Sequence, residues 1–367
     1  MSHQMLVINP GSTSTKVAFY NDLNQEILEV VSHTATELAE FHEVFEQHTF
    51  RKNIIYGVLK EKKINFREIA AVVGRGGLCK PIPSGVYEIN ELMINDLKTS
   101  AYGKHVSSLS GLITYEIALE IGAKAYIVDP VVVDEFEPLA YYSGWPEIKR
   151  KSLFHALNQK AAARKAANIL GRNYDELRLI IAHLGGGITV GAHKLGRVVD
   201  VNNGLEEGPF APERAGTLPI GDLIRLCFSG RNSKEELLKT MAGRGGLVAY
   251  LGTNSGREVE AKIISGDAYA AEVYEAMAYQ VAKEIGGCAA VLEGKVDAIV
   301  LTGGLAHSDR FVGWIKRRTG FIAQVIILPG EFEMEALAAG AWRVLTGMEQ
   351  AKEYAPTGDW SHYVGLY

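Results

Sequence analysis

One pattern limits what this chain can fold into more than any other, because it occurs twice. Residues 180–203 read as an apolar strand, a turn of three glycines (Gly185, Gly186, Gly187), a second strand, a break at Leu195-Gly196 and a third strand. Residues 5–31 follow the same plan, with Asn9-Pro10-Gly11-Ser12 at the turn, 174 residues before His183-Leu184-Gly185-Gly186. A turn stripped of Cβ atoms lets backbone N–H groups approach an anion and leaves φ > 0 free. One such turn is an ordinary glycine-rich hairpin. Two of them, half a chain apart, indicate a duplicated domain whose two turns close on one polyphosphate.

The 367 residues suffice for two domains with separate cores. A net charge of −5, with no basic run, argues against a nucleic-acid partner. No apolar stretch reaches the roughly 18–20 residues of a membrane span, and the N-terminus has no signal pattern, so a cytoplasmic protein is expected. Cys79, Cys227 and Cys288 are scattered and odd in number, which reads as reduced thiols, neither a disulfide framework nor a zinc site.

After each meander, helical and extended segments alternate. Residues 37–63 have helical spacing. Residues 70–73 form a buried strand leading into Gly74-Arg75-Gly76-Gly77, and residues 86–89 another, after which Asn90 caps a helix over 91–100. A helix over 107–121 precedes a strand at 125–128 that stops at Asp129-Pro130. Residues 134–146 are irregular and mark the crossing between domains, and a helix over 152–170 carries His155 near its start. Beyond the second meander, the loop 204–219 holds Glu206, Glu207, Glu213 and Arg214; so long a loop is more often functional than filler. Helices at 220–228, 233–242 and 267–292, a strand at 298–302, a helix at 308–319, a strand at 325–328 and a helix at 333–345 complete the chain. The class is α/β with mixed sheets.

Neither a P-loop nor a dinucleotide fingerprint is present. Ser12 and Lys16 offer a hydroxyl and an ammonium to phosphate oxygens at the first turn, and Gly303-Gly304-Leu305-Ala306-His307 follows a strand at its carboxyl end, where α/β sheets bind ligands. Taken singly, each polar candidate has an ordinary reading: Arg75 and Arg214 as surface arginines, Asp129 as a strand-end cap, His155 as a structural histidine, Glu333 as a first-turn helix carboxylate. Together they have a chemistry. Two anion-cradling turns hold a polyphosphate, carboxylates orient Mg²⁺, and two arginines grip a carboxylate and a phosphoryl group in flight.

The segments VINPGSTSTKVAFY, VVGRGGLCKPIPSGVYEI, KSLFHALNQKAAA, HLGGGITVGAHKLGRVVDVNNGLEEGPFAPERAGTLP and IVLTGGLAH resemble the butyrate branch of the acetate kinase family, within the actin-like, sugar-kinase-like ATPase superfamily. The resemblance spans nearly the whole chain. It implies two ribonuclease-H-like (actin-like ATPase) domains related by internal duplication, with the active-site cleft between them. They would comprise residues 1–145 and 146–334, with 335–367 returning to the first. It implies Mg²⁺-dependent, reversible phosphoryl transfer between ATP and a short-chain carboxylate such as butyrate or isobutyrate, giving an acyl phosphate and ADP. By the same resemblance Asn9 and Glu333 would serve the metal, Ser12 and Lys16 the phosphates, and Arg75, Asp129, His155 and Arg214 the reacting groups. His183, Gly185, Gly186 and Gly187 would form the second phosphate turn, and Gly303, Gly304, Leu305 and His307 the adenosine side. Gly186 and Val131-Val132-Val133 depart from the acetate branch, and Ser255 stands where the butyrate branch is expected to carry an aspartate. The partners expected are a carboxylate, a nucleotide and further copies of the chain. An acetate or propionate kinase, or a non-catalytic actin-like nucleotide switch, are the alternatives.

Overall fold

The computed structural model describes residues 2–11, 13–103 and 105–355, so Ser12 lies outside the described residues. The chain divides into two compact units: one runs to Asp134 and resumes at Phe332, and the other is Glu135–Glu331.

In the first unit, β1 (Gln4–Pro10), β2 (Ser14–Asn21) and β3 (Asn24–Ser32) form an antiparallel meander. The short α1 (Ala35–Ala39) and α2 (Gln47–Glu61) follow. Then come β4 (Ile69–Gly74), β5 (Val86–Glu88), α3 (Glu91–Thr99), α4 (Ser107–Ile121) and β6 (Lys124–Val128). Met5, Leu6, Val7 and Ile8 are all fully buried, so both faces of β1 are covered; a continuous apolar run, rather than an alternating one, is what such a strand requires. β4 pairs in parallel with β1, and β6 in parallel with β4.

The second unit begins its regular structure with α5 (Ala156–Leu170), then repeats the meander as β7 (Arg178–Leu184), β8 (Ile188–Lys194) and β9 (Arg197–Val201). Helices α6 (Ile220–Cys227), α7 (Lys234–Met241), α8 (Gly246–Leu251), α9 (Gly256–Ile264) and α10 (Ala268–Val291) lead to β10 (Ala298–Gly303). Next come α11 (Asp309–Thr319) and β11 (Val325–Pro329). The strands order as β11-β10-β7-β8-β9, matching β6-β4-β1-β2-β3 of the first unit position for position. The duplication read from the two turns is therefore a duplication of whole sheets. Alternation along β7 divides its core: Leu179 and Ile181 pack with the alanines of α5, while Ile180, Ala182 and Leu184 pack with Met277, Val281 and Ile285 of α10.

The last helix, α12 (Glu333–Leu345), packs on β1, β4 and β6 of the first sheet. Gly340 allows this, because a Cβ there would lie 2.7 Å from the Val128 side chain. The two-residue β12 (Lys352–Glu353) then adds to β5 at that sheet's edge.

Three expectations need correction. The helix expected over 37–63 is two helices, because a capping box at Thr34 starts one and a second box at Glu43 starts a 3₁₀ turn ahead of the other. The helix expected from 152 begins only at Ala156, leaving His155 at its cap position. Two helices, α8 and α9, stand where none was expected; each is shorter than ten residues, too short for apolar periodicity to show. Among the described residues no helix is long and apolar enough to cross a membrane.

Candidate active site

In the first unit three parallel strands end side by side. Ile8 pairs with Gly74 and Gly74 with Ile127, so Asn9 and Arg75, which come next along the chain, and Asp129, just past the end of β6, stand along one carboxyl-terminal edge. Ligands of open α/β sheets gather at such an edge. Glu333, in the first turn of α12, joins them. Asn9 Nδ2 donates to Glu333 Oε2 at 2.8 Å, and the Arg75 guanidinium grips the same carboxylate, at 2.9 Å to Oε1 and 3.3 Å to Oε2. Asn9 Oδ1 is buried and has no hydrogen-bond partner among the described residues.

Asp129 is 1% exposed and sits at φ +39°. A non-glycine residue in that region carries strain and persists only where its surroundings hold it. Here they do: the Gly85 N–H donates to Asp129 Oδ1 at 2.8 Å, and the Asp129 N–H donates back to the Gly85 carbonyl at 3.1 Å. Lys16 lies directly opposite Asn9 in the β1–β2 ladder. The hairpin turn between these strands is braced from below by Arg51 of α2, fully buried, which donates to the Ser14 carbonyl at 3.0 Å and the Thr15 hydroxyl at 3.1 Å. Burial lowers this guanidinium to a pKa of about 10, so it stays charged at neutral pH.

The second unit holds its own cluster around the triple-glycine turn. None of Gly185, Gly186 or Gly187 has a positive φ, so the freedom of backbone expected there is not what the turn uses. The glycines make room for side chains. A Cβ on Gly187 would meet Arg214 Nη1 at 2.1 Å, and one on Gly185 would meet His183 Nε2 at 2.7 Å. The guanidinium of Arg214 thus lies flat against the turn, held by Nη1 donating to the Gly204 carbonyl at 2.6 Å. His183 is buried, with Nδ1 2.8 Å from Asn158 Nδ2; since an amide nitrogen donates, Nδ1 accepts and the ring proton sits on Nε2, toward the turn. His155 stacks on His183 with ring centroids 3.9 Å apart, and its Nδ1 lies 3.0 Å from the Thr189 hydroxyl.

Gly185 and Gly186 also form one wall of a pocket of about 600 Å³. That volume suits a nucleoside-sized ligand. Gly304, Leu305 and His307 line it, while Gly303 is buried behind them, its N–H and carbonyl both paired with Gly330 at 3.0 Å. The opposite wall comes from the start of α9 and from α10, through Ser255, Arg257, Glu260 and Tyr274. Glu260 and Tyr274 escaped the sequence reading. The one local sign was the Gly252–Gly256 run of small residues, in which Gly256 leaves space for Leu305, 2.7 Å from where its Cβ would be.

Comparison with known proteins decides the family. Butyrate kinase 2 of Clostridium acetobutylicum is 52% identical to this chain over 355 residues, covering 96% of this chain and 100% of that protein. The chain belongs to the acetokinase family. The profile of the acetokinase family matches residues 141–316, the part that carries the triple-glycine turn and the Arg214 loop. Solved structures agree on the fold. Acetate kinase of Porphyromonas gingivalis superposes with a TM-score of 0.77 at 22% identity, over 95% of this chain and 100% of that one. A propionate kinase of Francisella tularensis gives 0.72 at 19% identity, over 92% and 98%. As an acetokinase family member the chain is a phosphotransferase acting on a carboxyl group, and it shares the fold of the solved acetate and propionate kinases. A non-catalytic switch is thereby set aside.

The family implies a divalent metal. Among the described residues no three histidine, cysteine or acidic side chains gather into a metal cage. Mg²⁺ does not need one, since it keeps several waters and takes one or two protein oxygens beside phosphates. The unpartnered Asn9 Oδ1 next to the Glu333 carboxylate fits that demand.

Proposed function

We propose that the chain carries out reversible transfer of the γ-phosphoryl group of ATP to a short-chain carboxylate, with butyrate as the preferred acid. The observation that carries this reading is Arg214 pressed into the triple-glycine turn, where that turn also walls a nucleoside-sized pocket. A phosphate chain seated on the turn places its end beside a fixed positive charge. The near full-length relative named butyrate kinase 2 supports butyrate as the acid.

A carboxylate needs no base to become a nucleophile, because with a pKa near 4 to 5 it is already ionised at neutral pH. One carboxylate oxygen bonds to the γ-phosphorus while the bond to the β–γ bridging oxygen breaks, and ADP leaves with that electron pair. The difficulty is bringing two anions together, and Arg75, Arg214 and Lys16 meet it with charge. His155 and His183 stack beside the glycine turn, and His183 Nε2 offers a donor there. Asp129, locked by Gly85, acts as an orienting group rather than a proton acceptor. Asn9 and Glu333 would hold Mg²⁺, which on binding offsets the charge of the phosphates.

The test is turnover with ATP, Mg²⁺ and hydroxylamine, which traps acyl phosphates as hydroxamates, across straight acids of two to six carbons and isobutyrate. Two further buried methylenes, at about 0.8 kcal/mol each, give butyrate an advantage of roughly fifteenfold in kcat/KM over acetate. A maximum at acetate or propionate would replace butyrate as the assigned substrate.

A further inference from the structure

The nucleoside pocket contains a carboxylate that the reading above does not use. Glu260, on α9, lines the pocket between Arg257 and Tyr274, and one of its oxygens, Oε1, accepts the Ser308 hydroxyl proton from the start of α11. Ser308 is itself fixed, because its hydroxyl also caps α11 by accepting from the Phe311 N–H at 3.0 Å. Beside this pair lies the Tyr274 hydroxyl, fully buried, with Ser308 as its polar neighbour. One serine hydroxyl uses only part of what a carboxylate can accept, and Glu260 lines the pocket with that capacity. A ligand that fills that capacity must supply O–H or N–H donors to the carboxylate. Ser255 is not free for that task, since its hydroxyl caps α9 by accepting from the Glu258 N–H.

We propose that Glu260, oriented by Ser308, is the ribose-recognition residue of this pocket, accepting hydrogen bonds from the vicinal 2′- and 3′-hydroxyls of the nucleotide. A vicinal diol presents two donors at a spacing one carboxylate can take. This rests on the pocket being the nucleotide site. The phosphate turn at Gly185 and Gly186 forms part of the same lining, so the reading needs only a ligand with an anionic end and a diol.

The experiment compares ATP, 2′-deoxy-ATP and ITP as phosphoryl donors for wild type, Glu260→Gln and Glu260→Ala, with kcat and KM resolved. A charge-assisted hydrogen bond is worth roughly ten- to hundredfold. Wild type should therefore show a KM for 2′-deoxy-ATP about tenfold or more above that for ATP, with kcat little changed. In Glu260→Gln and Glu260→Ala the two KM values should converge, through a rise in the ATP value. Wild type that uses ATP and 2′-deoxy-ATP equally overturns the proposal without needing any variant. So does a variant that keeps the discrimination. If Glu260→Gln instead abolishes discrimination between ATP and ITP, the carboxylate reads the base and the ribose assignment is wrong. Should wild type phosphorylate no carboxylate from any donor, the functional reading itself fails, an outcome distinct from these.

Discussion

Asn9 and Glu333 lie 324 positions apart in the chain, and their side chains meet at 2.8 Å. The same carboxylate holds Arg75, so a strand end, a strand-end loop and the first turn of the last helix converge on one buried group.

Glu333→Ala should therefore destabilise the fold as well as impair catalysis. Removing one member of a buried ion pair costs about 3–5 kcal/mol, and the lower end applies because the Arg75 side chain keeps 20% exposure. Urea denaturation should show this loss. Glu333→Gln, which retains shape, should fold with a smaller loss and need a higher Mg²⁺ concentration for half-maximal rate. An unchanged Mg²⁺ dependence would remove Glu333 from the metal site.

Arg214→Ala should lower kcat by roughly 10³-fold, the scale for losing a charged donor to a transition state. The geometry adds a second variant with the same target. Gly187→Ala places a methyl 2.1 Å from Arg214 Nη1 and must displace the guanidinium, whereas Gly186→Ala meets Glu213 at 3.4 Å, an ordinary contact. Gly187→Ala should thus lose kcat far more than it loses stability. Activity within threefold of wild type for either Arg214→Ala or Gly187→Ala would show that the arginine is not at the reacting group.

Stability should fall in acid because of His193. This ring is fully buried, donates from Nε2 to Gln159 Oε1 at 2.9 Å and accepts at Nδ1 from the Tyr174 hydroxyl at 2.7 Å. Desolvation, aided by the Lys160 charge, pushes its pKa down to about 3. In the unfolded chain the same group titrates near 6.5. Between those values the unfolded state binds the extra proton, so stability is complete above about pH 6.5 and declines by about 1.4 kcal/mol per pH unit as pH falls toward 3. Denaturation from pH 7 to pH 5 should show that slope, and His193→Gln should flatten it. A parallel decline in the variant would place the acid sensitivity elsewhere.

The thiols separate by burial. Cys79 and Cys288 are buried and their pKa values are raised by desolvation, Cys79 to about 12, while Cys227 is exposed at the end of α6. The thiolate is the reactive form. Native protein should titrate one fast thiol with a disulfide reagent at pH 8 and three after unfolding. Two fast thiols would mean that one of the buried sites opens readily.

The duplication, the sheet-forming meanders and the strand-end positions of Asn9, Arg75, Asp129 and Gly303 were all legible in the sequence. They are local: a strand declares itself by its apolar run, and a turn by the loss of side chains within a few residues. The same is true of α4, whose apolar spacing marked Ser107–Ile121 at both ends. What the tertiary structure alone decided is which distant groups share a place. That Glu333 faces Asn9 depends on α12 settling on β1, β4 and β6, which Gly340 permits by yielding space to Val128. The glycines of the second turn looked like a device for positive φ, yet the folded chain uses their missing Cβ atoms to admit Arg214 and His183. Glu260 and Ser308 carry no signal of their own, since a helical glutamate and a capping serine are common, and only the packing of α9 and α11 on α10 brings them to one pocket wall. Side chains far apart in sequence meet through the rigid placement of whole elements, and that placement is set by long-range packing that no local pattern encodes.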